Sequence, residues 1–224
     1  MKNAFFNFIS DYPNINILFQ DLLSKGNVFL IGGIVRDFIE TKKIIKPRDI
    51  DIIVDLDEDI LNKTISMYKH EKNRFRGYKL YIDSIEVDIW AITETWAFKE
   101  EKLDSDTANI SDTVFLNVDS VVYDFKNNTF HRKRYNEFIE TKTLDIVLRE
   151  NPCLELNLLR ALVFMDRYKA KLSESIISLF LNKFNEHQGI LANKLFELQS
   201  SHYKENIYTK EQLEYKINKI LAKA

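Results

Sequence analysis

The hydrophobic and polar positions fall into segments whose period changes along the chain. Residues 14–24, NINILFQDLLS, place Ile15, Ile17, Leu18, Leu22 and Leu23 near one face of a helix. Lys25-Gly26-Asn27 ends that helix, with Gly26 suited to a left-handed cap. VFLI at 28–31 is apolar throughout, as expected of a short strand covered on both sides. After Gly32-Gly33 the pattern turns helical over 34–41, and Pro47 precedes a second strand at 50–54. LDEDILNKTISMYKH (56–70) reads as an amphipathic helix with acids in its first turn, where they favour the macrodipole.

RFRGYKLYIDSIEVDIWAI (74–92) alternates on either side of Asp83-Ser84, a strand–turn–strand pattern. TETWAFKEE predicts a helix with Thr93 as N-cap and Trp96 facing in. A polar loop (104–112) follows. Then VFLNVDSVVYDF and TFHRK read as two short strands around a turn at Lys126-Asn127-Asn128. From about 135 the texture changes to helical spacing. LRENPCLELNLLRALVFMDRYKAKL carries Pro152 where a first helical turn tolerates it, and residues 173–224 read as amphipathic helices broken near Gly189 and Asn206. The expectation is an α+β protein: a head at 1–135, with a mixed or antiparallel sheet and flanking helices, then an all-helical neck and tail at 136–224.

Composition changes this picture little. With 45% hydrophobic residues among 224, a sizeable core is expected, and five Gly and three Pro leave little room for flexible linkers. Cys153 is the one cysteine, which excludes an intramolecular disulfide and fits a reducing compartment. The N-terminal stretch MKNAFFNFISDYPN lacks the pattern of a secretory leader, and no run approaches the ~18 apolar residues of a membrane span. A soluble, cytoplasmic protein with no membrane partner is expected. A net charge of −2 argues against a broad basic surface for nucleic acid, leaving His131-Arg132-Lys133-Arg134 as a local basic strip.

Charge placement matters more than its sum. Side chains two apart on a strand share a face, so Asp49 and Asp51 present two carboxylates together while Ile50 and Ile52 point the other way. Such a pair repels itself unless a cation intervenes, and hard divalent ions take oxygen ligands of this kind. Two ions about 3.5–4 Å apart can clamp the attacking and leaving oxygens of an in-line displacement. IEVDIW adds Glu86 and Asp88 on one strand face, either of which can be the third carboxylate. Gly32 and Gly33 let backbone approach phosphates, the following helix adds its positive end, and Arg36 can grip phosphate oxygens bidentately. Taken singly, each feature also has a structural reading: a strand–helix turn, surface acids at a strand end, a paired arginine. Their conjunction in this order favours chemistry.

These residues resemble the signature of the DNA polymerase beta-type nucleotidyltransferases, in particular the bacterial poly(A) polymerase and CCA-adding tRNA nucleotidyltransferase branch. The hallmark is a strand, GGxVRD, a helix and then DxD. Here it is Gly32-Gly33-Ile34-Val35-Arg36-Asp37 followed by Asp49-Ile50-Asp51. The resemblance implies transfer of a nucleoside monophosphate from a nucleoside triphosphate to an acceptor hydroxyl, most readily an RNA or tRNA 3′ end. It implies two Mg²⁺ ions held by Asp49 and Asp51 and a triphosphate contacted by Gly33 and Arg36; the strand and turn patterns add Asp88 as third carboxylate and Gly32 beside the phosphates. SDTVFLNVDSVVYD keeps the phenylalanine, Asn117 and Tyr123-Asp124 of a later family segment, without its paired arginines. NPCLELNLLRALVFMDRY matches the neck pattern at Pro152, Leu159, Arg160, Ala161 and Phe164, making Asn117 and Arg160 candidate nucleotide contacts. Asn157 and Val163 stand where the pattern has arginines, and no E-D-x-x-R segment follows. The rival expectations are a head that adenylylates a protein or small molecule, and an inactive nucleotide-binding module whose helical tail docks a protein partner.

Overall fold

The computed structural model of the chain describes residues 1–73, 75–203 and 205–222. Position 74 of the alternating stretch and positions 204, 223 and 224 of the tail lie outside the described residues. Two helices, α1 (Lys2–Ile9) and α2 (Pro13–Lys25), lead into β1 (Val28–Ile31). Then come α3 (Gly33–Thr41), β2 (Asp49–Val54), α4 (Glu58–Ile65), β3 (His70–Lys72), β4 (Tyr78–Ile82) and β5 (Ile85–Ala91). A short α5 (Trp96–Lys99), β6 (Val122–Asp124) and β7 (Thr129–His131) complete this part.

The strands form one mixed sheet in the order β3-β4-β5-β2-β1-β6-β7. β2 and β5 run parallel, and every other neighbouring pair is antiparallel. The β4–β5 hairpin turns on Asp83 and Ser84, both at positive φ (50° and 64°), the two-residue loop whose twist matches a right-twisted ribbon. One sheet face carries Ile50, Ile52, Val54, Val87 and Ile89, all buried. On the other face Phe29, Ile53 and Val122 pack with Ile92, Phe98 and Ile110, and with the partly buried Ile31, Trp90 and Leu103. Both faces are therefore covered, which explains why β1 is apolar at every position.

Several local expectations are corrected. Gly26 is extended (φ −166°), not left-handed; a Cβ there would lie 2.5 Å from the carbonyl oxygen of Asp55, so close backbone approach is what glycine serves. The helix after 56 ends at Ile65, and His70–Lys72 forms an edge strand against β4. At 92–101 a 3-10 turn (Ile92–Glu94) precedes α5, so Thr95 holds the N-cap position while Thr93 is exposed and Trp96 only half-buried. Pro152 lies just before α7 (Leu154–Tyr168), not in its first turn. Helix α1 has no counterpart among the expected elements. It is held by aromatic packing: Phe5 lies 4.6 Å from Phe19 and 5.5 Å from Phe125 between ring centroids.

The chain divides into two compact units, Met1–Thr113 with Asp119–Lys133, and Val114–Val118 with Arg134–Ala224. Beyond β7 run α6 (Lys133–Thr141), β8 (Thr143–Leu144), α7, β9 (Lys171–Leu172), α8 (Glu174–Glu186), α9 (Leu191–Tyr203) and α10 (Lys210–Leu221). β8 and β9 pair in parallel as a small bridge among the helices. In this second unit the Asn117 amide donates to the Thr143 carbonyl (3.0 Å) and accepts from the Asp145 N–H (3.1 Å), clamping the 114–118 segment. Buried Gln199 exchanges hydrogen bonds with the Tyr208 backbone (2.7 and 3.0 Å), and Thr209 and Gln212 form a capping box at the start of α10. Among the described residues, no helix is long and apolar enough to cross a membrane.

Candidate active site

Strand register assembles the acids. Across parallel β2 and β5, Asp49 is level with Glu86 and Asp51 with Asp88. Four carboxylates thus share one sheet face. Two residues further along the strands, that same face is Ile53 and Trp90, part of the apolar cluster. The acids sit at the mouth of the sheet on a low-dielectric floor. β1 approaches from the other side of β2, with Ile31 level with Asp51, so the turn that follows β1 arrives beside the carboxylates.

That turn requires glycine. Gly32 adopts φ 73°, ψ −147°, a region almost confined to glycine, and a Cβ on it would meet Oδ2 of Asp51 at 2.6 Å. α3 then begins at Gly33 with no side-chain cap on its first turn, which leaves its positive end beside the acids. Arg36, one turn in, is buried and ion-paired through Nη1 with Oδ1 of buried Asp119 at 2.7 Å. Its Nη2 lies 3.6 Å from where a Cβ of Gly33 would be, so the guanidinium is held beneath the diglycine turn.

The acid trio that comes together most closely is not the one expected. Asp49, Glu86 and Asp88 bring one carboxylate oxygen each within 4.8 Å of one another, whereas Asp51 lies against Gly32. Two cations attend them. Arg48 donates to Oδ2 of Asp49 from Nε (3.0 Å) and Nη2 (2.6 Å). Lys79, on β4, bonds through Nζ to Glu86 and to Oδ2 of Asp88, the latter at 3.0 Å. Oδ1 of Asp88 is buried with no hydrogen-bond partner.

The pKa directions follow. Burial pushes the Asp88 carboxyl above the usual carboxylate range; Lys79 pulls it down, while Glu86 and Asp49 add repulsion. Burial works against the charge of Lys79, yet its bonds to Glu86 and Asp88 outweigh that and raise its pKa. Both partners of the ion pair are raised, which favours the charge of Lys79 and opposes that of Asp88. Lys79 gains two anions, whereas Asp88 shares one ammonium inside a group of like charges.

This arrangement fits hard divalent cations. The donors are carboxylate oxygens, one of them buried and unbonded, and they converge beside a cradle that a single Cβ would fill. Of the other expected residues, Asn117 is engaged in the clamp of the second unit, and Arg160 lies on α7 with its guanidinium 5.7 Å from the Phe164 ring centroid. Lys79 and Asp119 escaped sequence reasoning. The signal for Lys79 was present in the alternation of 78–82 against 85–91, once a two-residue turn is placed at 83–84.

No protein-family model matches the chain, and no curated protein matches it in sequence. Solved structures do resemble it. A CCA-adding enzyme in complex with CTP aligns at TM-score 0.62 and 18% identity, over 93% of this chain and 52% of that one. The Thermotoga maritima CCA-adding enzyme complexed with tRNA aligns at 0.62 and 16%, over 93% and 51%. A tRNA nucleotidyltransferase complexed with a primer tRNA and an incoming ATP analog aligns at 0.58 and 18%, over 88% and 57%. The chain therefore spans about half the length of the structures it matches. At these identities the likeness is one of fold: the mixed α+β head and helical C-terminal part of these enzymes.

Proposed function

We propose that the protein is a Mg²⁺-dependent nucleotidyltransferase that moves a nucleoside monophosphate from a nucleoside triphosphate to an acceptor hydroxyl, with an RNA 3′ end as the acceptor. The observation that carries this reading is the row of Asp51 and Asp88 in parallel register beside a glycine that admits no side chain. The solved structures of like fold, complexed with CTP, an ATP analog and tRNA, support the choice of nucleotide and acceptor.

In this reading Asp49, Asp51 and Asp88 would hold the ions, whose chemistry there would be to neutralise the carboxylates and polarise the reacting oxygens. The backbone at Gly32 and Gly33 and the start of α3 receive the triphosphate, with Arg36 held in place by Asp119. Asn117 and Arg160 would contact the nucleotide. Asp88 orients the acceptor hydroxyl and takes its proton as the oxygen bonds to the α-phosphorus; the bond to the β-phosphate oxygen breaks and pyrophosphate leaves. Catalysis is mainly positioning and charge compensation.

The test is incubation of the protein with labelled nucleoside triphosphates and total RNA, alongside Asp49→Ala. The native protein should label the RNA pool. The variant should fold, by circular dichroism, and lose more than the ~10–100-fold in activity that removal of an outer-shell partner of a metal ligand costs. Labelling at an undiminished rate by Asp49→Ala would discard the assignment, and labelling confined to protein would move the acceptor to that class.

A further inference from the structure

Lys79 is a cation of the site that the proposed function does not use, and it bonds to two of the carboxylates. It lies level with Asp88 across antiparallel β4 and β5, and Glu86 is the next residue on the same face of β5. Reading across the sheet, Glu71, Lys79, Asp88 and Asp51 form one row of alternating and then repeated charge. The Lys79 side chain is only 24% exposed and its ammonium touches both β5 carboxylates, which are not equivalent. Glu86 is the more exposed of the two (27% against 11%), on a longer side chain that can follow the ammonium. Asp88 is nearly buried and gives Lys79 one oxygen, while its second oxygen has no hydrogen-bond partner.

We infer that Lys79 is a positioning residue that apportions these two carboxylates: it keeps Glu86 as its lasting partner and competes with a divalent cation for Asp88, setting the affinity of the site for that cation. The inference rests on the proposed function, since it takes Asp88 as a ligand, and it settles which β5 acid serves. Glu86 is neutralised within the protein, whereas Asp88 has an oxygen to give. A fixed ammonium a few ångströms from a dication repels it with twice the strength of a monovalent pair, so its removal should tighten cation binding. A residue that merely supported the local fold would produce the opposite change.

Mn²⁺ binding to the nucleotide-free protein, followed by electron paramagnetic resonance of the free ion, tests this directly. Lys79→Met should bind Mn²⁺ at least about tenfold more tightly than the native protein. Lys79→Gln, one atom shorter but uncharged and still a donor, should do the same and serves if the methionine variant fails to fold. Lys79→Arg should stay within about threefold of native, and adding Asp88→Asn to Lys79→Met should remove the gain. Unchanged or weaker binding by folded Lys79→Met or Lys79→Gln, with Mn²⁺ binding by the native protein, would overturn the role of Lys79 and leave the proposed function standing. No Mn²⁺ uptake by folded native protein and variants alike would overturn both.

Discussion

At the scale of single residues, Gly32 is the most constrained position in the candidate site. Its backbone lies where L side chains rarely go, and the space a Cβ would need is taken by the Asp51 carboxylate. Gly32→Ala should therefore act twice. Backbone strain of ~1–3 kcal/mol should appear in urea denaturation, and displacement of Asp51 should lower the proposed nucleotidyl transfer beyond what that strain explains. Equal stability to native in denaturant would show that the turn can relax. The doublet of glycines and the i, i+2 acids were legible in the sequence because both are local patterns, readable from strand alternation and from the freedom of glycine. Lys79 and Asp119 were not, because each acquires its role from residues on another element.

At the scale of elements, the two strands and the helix that carry the diglycine turn emerged from periodicity almost as they stand in the structure. α1 did not. KNAFFNFI lacks flanking start and stop signals, and Met1 supplies no side-chain cap, so tertiary contacts hold it in place: packing, and a hydrogen bond from Lys2 Nζ to the Phe125 carbonyl (3.4 Å). Phe5 and Ile9 are fully buried. Phe5→Ala should destabilise the first unit by ~3–5 kcal/mol, the range for an aromatic ring removed from a core. Thermal unfolding of this variant near the native temperature would show instead that α1 is an appendage. The helix expected to run to residue 70 illustrates the reverse error. Apolar spacing continues through Ile65 and Met67, but pairing with β4 wins His70–Lys72 for the sheet edge.

At the scale of the whole molecule, a net charge of −2 means that RNA binding, as proposed, has to rest on local basic groups. Arg132 and Lys133 follow β7 in the first unit, with Lys133 exposed and Arg132 half-buried. Mobility shift against tRNA should show affinity falling steeply with salt, by ~0.7–0.9 in logarithmic slope per phosphate neutralised. Replacing both residues by Ala should lower that slope by about 1–2. An unchanged slope would place the RNA contacts elsewhere, and no shift at any salt would disfavour an RNA acceptor. What the sequence by itself determined is the α+β class, the turn chemistry at the diglycine and the pairing of Asp49 with Asp51, because each depends on neighbours within a few positions. Which strands adjoin, and in what register, was decided only in three dimensions. That register set Asp88 level with Asp51, drew Glu86 toward Asp49 and brought Lys79 between the β5 acids. Strand pairing joins segments far apart in the chain, and a slip of one residue would turn every one of these side chains to the opposite face.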